Sequence, residues 1–305
     1  MAEDVSPTIA RRRVRIALRE AREAAGYTQS DVAEAMEWSL SKVIRIENGD
    51  VSIAPNDLRP LLAYLHVKDR ALGAELLALA KTARSRQRTE WYQRPDIRPH
   101  LTPAMLRLAE YEAEAIEIRY FQAFHMPGPL QIPAYAEALL SIFSDEDIPA
   151  DTRHARALAR QFRRDTVLSR LGSGLSVYAL LDESVLRRTI GVPDVCLQQL
   201  GEMRDLATTG KITIRMIPFD FDSAVTNNAT FDLLTLKSGK AEERSEVLYR
   251  ETGLRDEIVE DQTVQRHRER FDKIWNAAAT EQDTINFMGS RIKDLEAQIR
   301  HRRIP

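Results

Sequence analysis

Apolar residues recur at three- and four-residue spacings through residues 11–80: Ile16, Leu18, Val32, Ala33, Met36, Val43, Ile46, Leu58, Leu61, Leu62 and Leu65. Each segment therefore offers one apolar stripe, which predicts about five short helices around a common centre. Glycine in this stretch is confined to Gly26, Gly49 and Gly73. Over residues 81–103 the period fails, the chain turns basic and Pro95, Pro99 and Pro103 appear, so the linker is placed there, with Trp91 and Tyr92 partly docked. Beyond it, a long helical pattern covers 104–124, Pro127-Gly128-Pro129 breaks it, and further helices are expected near 133–143 and 150–171.

The pattern then changes. Residues 175–181 (LSVYALL), 212–218 (ITIRMIP), 230–236 (TFDLLTL) and 246–250 (EVLYR) are short, with β-branched or aromatic residues at near-alternating positions, and read as strands. Helices are expected between the first two at 182–190 and 194–207, and two more close the chain at 256–279 and 282–300. Short connections between the later strands suit antiparallel neighbours. The expected fold is mainly α with an α+β second domain: a five-helix domain over 1–84, a basic linker over 85–103, and a domain over 104–305 with a small mixed or antiparallel sheet of about four strands. A length of 305 residues agrees with two domains.

The most specific stretch is residues 28–49, TQSDVAEAMEWSLSKVIRIENG. Thr28 suits an N-cap and Asp31 can close a capping box, so a helix begins at Gln29 and stops near Met36. Glu37 and Trp38 turn the chain, Ser39 caps a second helix, and Gly49 can end it in the left-handed conformation. Two short helices joined this tightly cross steeply, the geometry that lets the second enter a DNA major groove.

These residues resemble the Xre/phage-repressor type of helix-turn-helix domain. The resemblance implies that Gln29 and Asn48 grip phosphates, that Leu40, Ser41 and Arg45 face base edges with Lys42 beside them, and that Thr28, Ser39 and Arg22 complete the DNA-binding set. It also implies a buried ion pair of Arg22 with Glu47. Glu37 departs from the small residue or glycine frequent at that turn, and a left-handed residue there carries about 1–2 kcal/mol of strain. A plain helical protein-interaction module remains the alternative.

The remainder, through residues 112–120, 126–140, 181–188 and 212–218, resembles the C-terminal domain of WhiJ-like actinobacterial regulators, with Pro129 where that family often shows leucine. This resemblance implies a large regulatory domain that in some members works beside a small BldB-like partner protein, in an arrangement compared to an antitoxin pair; dimerisation through this domain is expected because one short recognition helix contacts few base pairs. The expected partners are double-stranded operator DNA with two half-sites and a second copy of the chain.

Charge modifies this picture. Net charge is −2 overall, but residues 1–98 hold 17 Lys+Arg against 14 Asp+Glu, a net of +3, with Arg11, Arg12, Arg13, Arg15, Arg19 and Arg22 clustered on the first helix. That field is expected to attract phosphates. A single cysteine, no secretory pattern and no long apolar run lead to the expectation of a cytoplasmic protein, nucleoid-associated when DNA-bound.

Catalytic signals are weak. The six histidines show no close metal-ligand spacing, and no cofactor is expected. His66 and Lys68 open like a phospholipase D motif, but Gly73 stands where aspartate is needed. Gly172-Ser173-Gly174 reads as a turn, Asp182 and Glu183 as a helix start, and Cys196 as packing. Tyr111, Tyr120, Phe121, Phe124 and Tyr135 suit either a core or a ligand pocket. A non-enzymatic regulator is expected, with a hydrolase-like domain fused to a DNA-binding head as the alternative.

Overall fold

The computed structural model describes residues 5–85, 90–142, 149–221, 230–236, 245–251 and 256–303, so residues 86–89 of the expected linker lie outside the described residues. The chain divides into two compact units, the second beginning at Trp91. No helix among the described residues is long and apolar enough to cross a membrane.

The first unit is α1 (Pro7–Ala24), α2 (Gln29–Ala35), α3 (Leu40–Asn48), α4 (Pro55–Tyr64) and α5 (Arg70–Ala83). Each start has a local cause. The Ser6 hydroxyl accepts from Ile9 N–H, Thr28 and Asp31 form a complete capping box, Ser39 accepts from Lys42 N–H, and one Asp69 oxygen accepts from Ala71 and Leu72 N–H. Pro55 opens α4 at a position whose N–H has no partner within the helix. The stripes meet in one core that includes Val14, Leu18, Val32, Ala33, Val43, Ile46, Leu58, Leu61, Leu65 and Leu76. Ile16 and Met36 are only half-buried.

The second unit opens with single 3-10 turns at Trp91–Gln93 and Arg98–His100, where Tyr92 and Ile97 are buried and Trp91 stacks on Phe162 with ring centroids 5.6 Å apart. There follow α6 (Pro103–Glu114), β1 (Ala115–Gln122), α7 (Pro133–Ile142), α8 (Ala150–Leu168), β2 (Ser176–Asp182), α9 (Glu183–Arg187), α10 (Pro193–Thr208) and β3 (Thr213–Ile217). The chain ends with β4 (Phe231–Leu236), β5 (Ser245–Glu251), β6 (Asp256–Val259), α11 (Thr263–Ala277) and α12 (Glu281–Arg303). The sheet order is β3-β2-β1-β4-β5-β6; β1, β2 and β3 run parallel, and every pairing from β1 through β4 and β5 to β6 is antiparallel.

The mainly α, α+β fold is thus present, with six strands rather than four. The 104–124 helical pattern is really α6 followed without a loop by β1. β1 reads AIEIRYFQ, in which Ile116, Ile118 and Tyr120 alternate with Glu117 and Arg119, but it runs on from α6 with no glycine, proline or turn residue to mark the change. The start of the expected 256–279 helix is the edge strand β6, drawn into the sheet by pairing Leu248 with Val259 and Tyr249 with Ile258.

Alternation along the strands separates two faces. Phe121, Leu180, Ile217, Phe231, Leu233 and Leu248 pack against Val264, Phe271 and Ile274 of α11. Tyr120, Asp232 and Tyr249, paired in register, lie on the opposite face. There Glu112 of α6 meets Arg163 of α8.

Candidate nucleic-acid interface and a buried polar cluster

The turn between α2 and α3 is closed by Trp38 N–H donating to Ala33 O at 2.8 Å, and Glu37 takes the left-handed conformation with φ 55°. Glu47, only 4% exposed, then ties the two helices to α1. Arg22 Nε donates to Glu47 Oε1 at 2.6 Å and Arg22 Nη2 to Oε2 at 3.0 Å, while Nη1 donates to Tyr27 O at 2.9 Å. The hydrogen bond to Glu47 raises the guanidinium pKa further. Gln29 Nε2 donates to the same Oε2 at 2.9 Å, and Arg19 Nη2 to Glu47 O at 3.1 Å. Gln29 is therefore held by Glu47 as well as standing at the N-terminus of α2.

On α3 the buried side is Val43, Ile46 and Glu47; Leu40, Ser41, Arg45 and Asn48 are exposed, Leu40 at 44%. Spacings of four from Leu40 and Ser41 give one solvent-facing stripe. Lys42 Nζ sits 3.8 Å from the Trp38 ring centroid and pairs with Asp57 at 2.9 Å. The Thr28 and Ser39 hydroxyls both serve as caps, and Thr28 N–H on the Asp31 carboxylate lowers its pKa.

The arginine run of α1 does not form one solvent-facing cluster: Arg11, Arg13, Arg19 and Arg22 are half-buried, Arg19 with 39% of its side chain exposed. Arg12 and Arg15 are buried, Arg13 pairs with Glu75, Arg11 Nε donates to Ser52 at 3.2 Å, and Arg22 is committed to Glu47. At 3.6 residues per turn, a run of arginines on a helix cannot all share the solvent face.

Residues 14–76 match a helix-turn-helix domain model, which covers this pair of helices and their supports. Residues 105–290, more than half of the chain, match a second model described only as a domain of unknown function, DUF5753. The chain belongs to the DUF5753 family. No curated protein and no solved structure matches it.

The DUF5753 region separates the weaker catalytic candidates. Asp182 caps α9 by accepting from Ser184 N–H at 2.8 Å, and buried Glu183 accepts from Phe219 N–H at 2.9 Å while pairing with Arg187. Gly172 and Gly174 take φ of 74° and 118° in the turn into β2. Cys196 is buried, its Sγ accepts from Ile190 N–H at 3.1 Å, and burial pushes the thiol pKa up. Tyr120 and Phe121 point to opposite faces of the sheet, Tyr111 donates to Glu260 and Phe124 is 59% exposed, so the aromatic residues form no single stripe. His66 and Lys68 stand in the first unit, outside the DUF5753 region; among the described residues no His, Cys, Asp and Glu group is placed to hold a metal.

Sequence reasoning missed a buried polar cluster. Arg163 makes a bidentate pair with Glu112 at 2.8 and 2.7 Å, and Gln122 Nε2 donates to Asp232 Oδ1 at 3.0 Å. Burial pushes the Asp232 pKa up to about 8, opposed by Arg163. A carboxylate inside the otherwise apolar run FDLLTL was the available signal.

Proposed function

We propose that this protein is a sequence-specific transcription regulator of the WhiJ-like Xre type, reading DNA through α3. The observation that carries this reading is the exposed Leu40, Ser41, Arg45 and Asn48 stripe on a helix whose other side is anchored by Val43, Ile46 and the Arg22–Glu47–Gln29 network. Arg45 lies one turn from Ser41, so both reach base edges when the helix enters a major groove, and an arginine–guanine pair supplies about 1–3 kcal/mol of discrimination.

One short recognition helix touches few base pairs. The chain therefore acts as a homodimer on two half-sites about 34–36 Å apart, or a multiple of that distance. The DUF5753 unit is non-catalytic in this reading: it mediates pairing and receives a small BldB-like partner protein or a small ligand, whose differential binding shifts DNA affinity.

The test is selection of bound sequences from a random pool, followed by affinity measurements at fixed salt. Arg45→Ala is expected to flatten sequence preference more than total affinity, and Gln29→Ala to weaken all sites alike. Equal loss on selected and random DNA for Arg45→Ala overturns the assignment. Turnover by the purified protein in a hydrolase screen overturns the non-catalytic reading.

A further inference from the structure

At the carboxyl end of β1, three adjacent strands set polar side chains side by side on one face: Tyr120 lies across from Asp232, and Asp232 across from Tyr249. Gln122, one alternation beyond Tyr120, turns its amide N–H onto Asp232 Oδ1. Its own Oε1 and the Tyr120 Oη have no hydrogen-bond partner among the described residues, although Tyr120 is 0% and Gln122 7% exposed. Buried polar atoms of this kind are costly to leave unmatched. The position in the fold is also distinctive. β2 and β3 extend the sheet on one side of β1 and β4 to β6 on the other, so this polar set lies at mid-sheet, away from both edges.

We propose that this end of the β1–β4 pair binds a small primary ammonium group, with Tyr120 Oη, Gln122 Oε1 and the Asp232 carboxylate as its acceptors. The proposal rests on the reading of the DUF5753 unit as a receiver and names the chemistry received. An ammonium carries three donors and no acceptor, which matches a phenol oxygen, an amide oxygen fixed by its partner N–H, and one carboxylate. The charges agree. Facing Asp232 are the paired Arg163 and Glu112, with Arg156 and Arg160 of α8 set against Glu251 of β5 and Asp256 of β6 around Tyr249. Arg163 is taken up by Glu112 and Arg160 Nη1 is left without a hydrogen-bond partner, whereas Asp232 makes no ion pair among the described residues; one proton or one monocation neutralises it. With a pKa of about 8, Asp232 holds that proton at neutral pH. Binding therefore exchanges one for the other: the ammonium enters with its charge intact and the Asp232 proton leaves to buffer.

The experiment is titration calorimetry of the full chain with methylammonium chloride at constant ionic strength, repeated in buffers of different ionisation enthalpy, with tetramethylammonium as the control that has no N–H. Saturable binding is expected, with nearly one proton released per methylammonium at pH 7 and affinity falling about tenfold per pH unit below 8. Asp232→Asn is expected to weaken binding at least about tenfold and abolish proton release. Tyr120→Phe, which removes a single oxygen, is expected to weaken it several-fold and serves if the first variant does not fold. No saturable heat from folded wild-type protein, equal binding of tetramethylammonium, or unchanged affinity in the variants overturns the site. Operator affinity of the wild-type chain, measured with and without methylammonium, separates the readings. Binding without a change in operator affinity keeps the site and removes the coupling, and operator binding in its absence tests DNA recognition alone.

Discussion

Three residues concentrate the energetics. Glu37 spends its backbone in the left-handed region at φ 55° without the freedom of glycine. Relief of about 1–2 kcal/mol of strain, set against the greater unfolded-chain entropy of glycine, makes Glu37→Gly stabilising by about 0.5–1 kcal/mol in urea denaturation. Glu47→Ala acts in the other direction. It strands a largely buried Arg22 and is expected to cost about 3 kcal/mol or more by the same measurement. Asp232 has its folded-state pKa raised, so the folded protein holds this proton at pH values where the unfolded chain has lost it. The stability it contributes is complete below about 4, the unfolded-state value, and is lost as pH rises through about 8. Asp232→Asn is accordingly expected to match wild type near pH 5 and to exceed it near pH 9, read as melting temperatures across that range.

At the scale of elements, α3 is the part most completely specified by local signals and most dependent on one contact. Gly49 ends it with φ 81°, and a Cβ there would stand 2.8 Å from Cδ and Nε of Arg15, a buried side chain that cannot swing clear. Gly49→Ala therefore combines left-handed strain with a clash, and about 2 kcal/mol or more of destabilisation is expected in thermal melts, together with weaker DNA binding as the end of α3 shifts. The junction of α6 and β1 is the opposite case. The alternation of Ile116, Ile118 and Tyr120 with Glu117 and Arg119 is a strand signal, but no glycine, proline or turn residue between Glu110 and Ala115 marks where the helix stops. The switch comes from pairing on both sides, with β2 and with β4.

For the whole molecule, the first unit buries its own core beneath five helices, four of them with side-chain N-caps. A fragment of residues 1–90 is expected to keep its helical circular dichroism and to bind a half-site with reduced affinity; an unfolded fragment would contradict this. The sequence by itself determined the caps of α2 and α3, the glycine that ends α3, the apolar stripes of the first core and the strand character of β2 to β5. All of these depend on neighbours within a few residues. Tertiary structure alone decided that Arg12 and Arg15 turn inward, that Gln29 is held by Glu47, where α6 gives way to β1, that β6 is a strand, and that Gln122 and Asp232 meet across 110 positions of sequence. The physical reason is range. A cap or a helical stripe is written in one turn of chain, whereas burying a charge or adding a strand to a sheet is favourable only when distant segments supply the partner that offsets desolvation and chain ordering.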